Sequence, residues 1–162
     1  MTTRSLKKVL IALDYDPTAQ KVAESGFSLA KSLGADIVML NVVSYPLFAP
    51  TPEYSPIMGF SGYIDMSTDL IDNAEIQKES ARLFLEKSKL HLGDESIKTM
   101  IKSGDFAETI LETAEEIKAD IIVMGSHSRK WLENVVMGSV AEKVLHHTTI
   151  PLLIIPTGHK IF

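Results

Sequence analysis

Two kinds of apolar pattern alternate along this chain. Short, mostly apolar runs at residues 9–13, 37–43, 97–101, 121–124 and 151–156 have the character of strands buried on both faces of a parallel sheet. Between them apolar residues recur at helical spacing, three or four apart, leaving one buried stripe on each segment. The stripes are Val22, Gly26, Leu29, Ala30 and Leu33; Ala74, Ala81, Phe84 and Leu85 within 68–91; Ala107, Ile110, Leu111, Ala114 and Ile117; and Val140, Val144 and Leu145. Punctuation agrees with the periodicity. Asp16 before Pro17 reads as an N-cap and a first helical position, Gly34 and Gly93 read as stops, and Asp105…Glu108 and Ser139…Glu142 have capping-box spacing.

Strand and helix thus alternate as βαβαβαβαβ. That order predicts an α/β fold: a single doubly wound, five-stranded, mostly parallel sheet in the Rossmann-like order 3-2-1-4-5, with right-handed crossovers and helices on both faces. One domain spanning 1–162 is expected. Pro151 and Pro156 bracket the last strand and place it at an edge, because proline cannot donate to a central ladder. An apolar edge strand wants a partner. Residues 44–67 break the rhythm with four prolines and two glycines, which reads first as a partly ordered crossover and otherwise as a lid or a partner surface.

Composition narrows the function. The 162 residues carry 16 basic and 21 acidic side chains, a formal net charge of -5. That balance offers no general surface for nucleic acid or an anionic membrane. No cysteine is present, which removes a disulfide framework, a thiolate metal site and a cysteine nucleophile, and fits a reducing compartment. Apolar runs stay far below the roughly 20 residues that span a bilayer. A soluble, cytoplasmic protein is expected.

The chemistry concentrates after the fourth strand, in Gly125-Ser126-His127-Ser128 and, ten residues later, Gly138-Ser139-Val140. A glycine leaving a strand, small residues at the bend and a second glycine opening a helix make a concave site for an anion. Backbone N–H groups near 126–128 and 138–140 would point at phosphates, His127 could donate to one, and Ser139 could add its hydroxyl. Equally, Gly125 could only make a turn and Ser139 only cap a helix. Asp14 ends the first strand, next to the fourth in the expected order, so strand ends Ala12-Leu13-Asp14 and Met124-Gly125 would flank one crevice. Asp14 suits a ribose contact or a Mg²⁺ ion, and Asp16 could assist that ion. His146 and His147 are adjacent on a helix, point in different directions and lack a third ligand. Motifs for a Walker-type NTPase, an α/β-hydrolase and a Rossmann dehydrogenase are missing.

From Val9-Leu10-Ile11-Ala12-Leu13-Asp14 through Val123-Met124-Gly125-Ser126-His127 and Gly138-Ser139 to Pro151-Leu152-Leu153-Ile154-Ile155-Pro156, the chain resembles the universal stress protein family. In its ATP-binding branch the resemblance implies the phosphate pattern G-x2-G-x9-G-[ST], an acid ending strand one and a backbone contact to adenine after strand two. Those positions fall on Gly125, Ser128, Gly138, Ser139, Asp14 and Val42, with Ser128 standing where the pattern has its second glycine. The resemblance further implies a homodimer through the last strand at 151–156, ATP as ligand with Mg²⁺ as a companion, an unidentified protein partner, and at most slow hydrolysis. A branch of the family without the glycine motif does not hold ATP, which leaves a nucleotide-free dimerisation module as the competing expectation.

Overall fold

A computed structural model describes residues 5–14, 18–44, 66–126 and 137–157, with the backbone alone for 66–73. The elements follow in the order β1 (Lys8–Leu13), α1 (Ala19–Leu33), β2 (Asp36–Val43), α2 (Met66–Leu92), β3 (Lys98–Ser103), α3 (Phe106–Glu116), β4 (Ile121–Gly125), α4 (Ser139–His147) and β5 (Leu152–Ile155). All ladders are parallel, and the strands lie in the order β3-β2-β1-β4-β5. The expected sheet is therefore the observed one, with the proline-bracketed β5 at an edge.

Alternation along the central strands sorts the core into two halves. Val9, Ile11, Leu13, Met39 and Val123 face α1 and α2, where Val22, Ala23, Ala30 and Leu85 meet them. Leu10, Val38, Leu40 and Ile122 face the other way, against Ala107, Ile110, Ala114, Ala141 and Val144 of α3 and α4. Both faces of β1 are thus buried, which is why its sequence is apolar without interruption. Gly26 sets the distance between α1 and the sheet: a Cβ there would stand 2.7 Å from Ile11 Cδ1 and 2.9 Å from Cγ1.

Strand starts are pinned by side chain and backbone together. Asp120 Oδ2 accepts the amides of Lys7 (2.9 Å) and Lys8 (3.0 Å), while the Asp120 amide donates to Lys8 O at 2.8 Å. Helix ends show a common device. Gly34 after α1 and Gly93 after α2 take φ of 61° and 67°, and Lys118 after α3 takes φ 55°. The left-handed turn returns chain carbonyls to donors, as when Ala119 N reaches Ala114 O at 2.8 Å.

Several boundaries differ from the sequence reading. Helix α1 begins at Ala19 with Thr18 at its N-cap, so Pro17 is not its first residue; Asp16 and Pro17 lie outside the described residues. Strand β3 runs to Ser103 and starts after Ile97. The N-cap of α4 is Gly138, and Ser139 is its first helical residue. On that helix Leu145 faces solvent instead of the core, as does Leu33 at the end of α1. Most of 44–67 lies outside the described residues, although 66 and 67 already belong to α2.

Candidate functional site

In a parallel sheet every strand delivers its C-terminal end to one edge, and here the order reverses between β1 and β4. Helix α1 leaves β1 on one face and α4 follows β4 on the other, opening a crevice at that edge. The structure brings Ala12, Leu13 and Asp14 to one side of it and Met124 and Gly125 to the other, with Val42 one strand further along. Leu13 is paired with Asn41, directly before Val42. Asp14 is exposed, whereas Ala12, Leu13, Val42 and Met124 are buried as wall.

Gly125 is held close, not bent. It lacks a positive φ; a Cβ there would stand 3.1 Å from Val22 Cγ2 on α1 and 3.1 Å from Thr157 Cγ2. Close approach of two neighbours, not turn geometry, is therefore what asks for glycine. Gly138 likewise sits at φ -72° and ψ 160°, an extended conformation open to any residue.

The donors expected to meet phosphate divide into two groups. Ser126 N donates to Ile155 O at 2.9 Å, and Gly138 N donates to Ser126 O at 2.8 Å, so both amides are consumed within the protein. Ser126 Oγ accepts the Thr157 amide at 3.0 Å. These bonds fasten the exit of β4, the chain after β5 and the entrance of α4 into one knot. The first intrahelical bond of α4 runs from Glu142 N to Gly138 O, and among the described residues the amides of Ser139 and Val140 have no protein acceptor. Those two N–H groups, at the positive end of the α4 dipole, are what the site offers an anion. Ser139 is exposed and Val140 half-buried. His127 and Ser128, with the rest of 127–136, lie outside the described residues.

Sequence reasoning missed Asn41 and Thr157. Asn41 is 1% exposed, and its Nδ2 donates to Leu13 O at 2.9 Å while its Oδ1 meets no donor. The amide holds the last carbonyl of β1 and so fixes the chain immediately before Asp14. A lone polar residue inside the apolar run 37–43 was the available signal. Thr157 gave none, since its role depends on Ser126, 31 residues away in sequence.

At the neighbouring strand end, Asp105 Oδ1 accepts the Glu108 amide at 3.0 Å and pairs with Lys143 of α4 at 3.0 Å. Those bonds hold the Asp105 carboxyl below its ordinary range, the amide first and the ammonium second. On α4, His147 Nδ1 donates to Lys143 O at 2.8 Å, so this histidine serves the helix end. No cluster of three metal-ligating side chains occurs among the described residues, and no helix there is long and apolar enough to cross a membrane.

Comparison with known proteins places this geometry. The family model described as the universal stress protein family matches residues 5–156. The chain is 31% identical to universal stress protein MJ0531 of Methanocaldococcus jannaschii over 156 residues, covering 95% of this chain and 84% of that one. It is 30% identical to universal stress protein MJ0577 of the same organism, covering 92% and 94%. The solved MJ0577 structure superposes with a TM-score of 0.76 over 97% of this chain and 100% of that one, at 23% identity in the superposition. A universal stress protein crystallised in complex with cAMP shares the fold at a TM-score of 0.64, with 17% identity and coverage of 96% and 100%.

Proposed function

The chain belongs to the universal stress protein family, and on that premise we propose that it is an ATP-binding regulatory module of the stress response, acting in the cytoplasm as a homodimer through 151–156. The observation that carries this reading is the pair of amides at Ser139 and Val140, unclaimed by any of the described residues, at a helix N-terminus beside the reversal point of the sheet. An anion completes such a helix end. A relative with this fold in complex with cAMP supports an adenine nucleotide as the anion's carrier.

In this reading the phosphates lie over Gly125 and the start of α4, where Gly138 and Ser139 open the helix and Ser128 and His127 add contacts from the loop. Asp14 takes the ribose, and adenine meets the backbone at Val42. Ala12, Leu13 and Met124 form the wall beneath. One carboxylate together with phosphate oxygens is a donor set that Mg²⁺ accepts, since that ion keeps several waters and needs few protein ligands. Asp14 would be the residue to hold it, as the alternative to its ribose contact. In this reading binding is the primary activity, with hydrolysis at most slow.

Calorimetric titration of the nucleotide-stripped protein with ATP and Mg²⁺ tests the reading, with Ser139→Glu as the control. An acid at the first helical position complements the α4 dipole and keeps the fold, yet it repels phosphate. Saturable binding in the wild type, weakened at least about tenfold in the variant, is expected. Equal affinity in the variant overturns the site. A folded dimer that binds no nucleotide overturns the function and leaves the dimerisation module, the reading favoured by Ser128 at the second glycine and by Leu153 exposed on the edge strand.

A further inference from the structure

The opposite edge of the sheet carries a second arrangement, independent of the nucleotide reading. Lys8, Asp36 and Lys98 are the first residues of β1, β2 and β3, and with Lys89 at the end of α2 and Ile117 and Lys118 after α3 they line a groove of about 710 Å³. Strands of six to eight residues rising roughly 3.3 Å each put this groove about 20 Å from the Asp14 crevice. Val38 and Met100 supply an apolar floor on the α3 side of the sheet, and Ile97 borders the groove from the α2 side.

Four lysines meet here on a chain whose formal net charge is -5. Of the two carboxylates in the lining, Glu116 is taken by Lys102 at 3.0 Å. Lysines at this edge could serve the carbonyl ends of α2 and α3, and one does: Lys8 Nζ donates to Ile117 O at 3.0 Å. Lys89, in the last turn of α2, also suits that helix's dipole. Lys98 and Lys118 have no such employment. Lys98 opens a strand, where no helix carbonyls wait, and neither ammonium has a carboxylate or carbonyl partner among the described residues. Lys118 also occupies a left-handed turn, φ 55°, at the position where α1 and α2 are followed by Gly34 and Gly93. A glycine would fit there without strain, yet a long cationic side chain stands in its place.

We propose that this groove is a second ligand site, for a small phosphate-bearing molecule whose charge is met by Lys98 and Lys118, with Lys89 adding to the field, and whose apolar part rests on Met100. Its volume falls within the range of small-molecule sites. Ammonium groups act as point charges toward phosphate, so the site selects for charge and size more than for a fixed orientation.

Titration of the full-length, isotope-labelled chain with inorganic tripolyphosphate, followed by amide chemical shifts, tests it. Saturable shifts at Lys98, Thr99 and Lys118 are expected in the wild type. A Lys98→Gln, Lys118→Gly double variant should bind at least tenfold more weakly at this edge while leaving shifts at Ser139 and Val140 unchanged. Because glycine relieves the backbone at 118, the variant keeps its melting temperature, which separates lost binding from lost folding. Shifts confined to the Asp14 edge, no saturable shift at the groove, or equal groove affinity in the variant each overturn the proposal.

Discussion

At single positions the molecule is decided by close contacts that composition cannot reveal. Gly26→Ala gains about 1 kcal/mol of helix propensity. It also forces a methyl group to within 2.9 Å of two carbons of Ile11, a side chain with no exposed surface and no room to retreat. Overpacking of that kind costs about 1–3 kcal/mol, so the variant should melt below the wild type, and a calorimetric scan decides which contribution dominates. Asn41→Asp is a sharper case. It removes the donor to Leu13 O and puts a carboxylate in a site that is 1% exposed. A loss of at least about 2 kcal/mol at pH 7 is expected in denaturant unfolding. Burial raises the folded-state pKa of that new carboxyl above its unfolded value of about 4, so the loss should shrink as pH falls toward 4. Neither Gly26 nor Asn41 announces its role in sequence. A glycine on a helical stripe and an asparagine in an apolar run are visible as anomalies, but the neighbours that explain them come from other elements.

At the level of elements, the sequence was most informative where the signal is local. Asp105 and Glu108 have capping-box spacing, and the structure shows Asp105 accepting the Glu108 amide. Asp105→Ala should cost about 1 kcal/mol, read from the shift in denaturation midpoint. Ser139 and Glu142 have the same spacing, yet Gly138 caps α4. The difference lies in what precedes each helix. Gly138 is tied to Ser126 O, a bond from another part of the chain that sets the start of the helix one residue earlier. The same bond uses the Gly138 amide within the protein, so spacing overcounted the donors that the expected anion site has to offer. Edge placement of β5 was legible because proline restricts backbone chemistry directly, whereas the burial of helix ends was not, since Leu33 and Leu145 keep the helical spacing and are nonetheless exposed.

For the whole molecule, alternation and handedness narrowed the sheet to a few doubly wound orders, and the one with β1 at the centre is observed. Ties across the fold needed the coordinates. Lys31 of α1 pairs with Asp94 between α2 and β3, joining elements more than 60 residues apart. The Lys31 ammonium, then the Ser96 hydroxyl and amide, pull the Asp94 carboxyl down from 3.8 to about 2. A carboxyl depressed in the folded state contributes stability above its unfolded pKa and loses it as pH falls through the folded one. Asp94→Asn should therefore melt below the wild type at pH 7, and the gap should close between pH 4 and pH 2 in a series of thermal scans.

β1, β2, β3 and β4 all end at one rim of the parallel sheet and lead on to α1, α2, α3 and α4, while at the opposite rim the turns at Gly34, Gly93 and Lys118 are closed by bonds to helix carbonyls. Such a chain separates what may vary from what must not. Segments grafted from relatives into the first rim should leave the sheet intact and change only what the protein recognises, so this architecture can diversify its partners without renegotiating its fold.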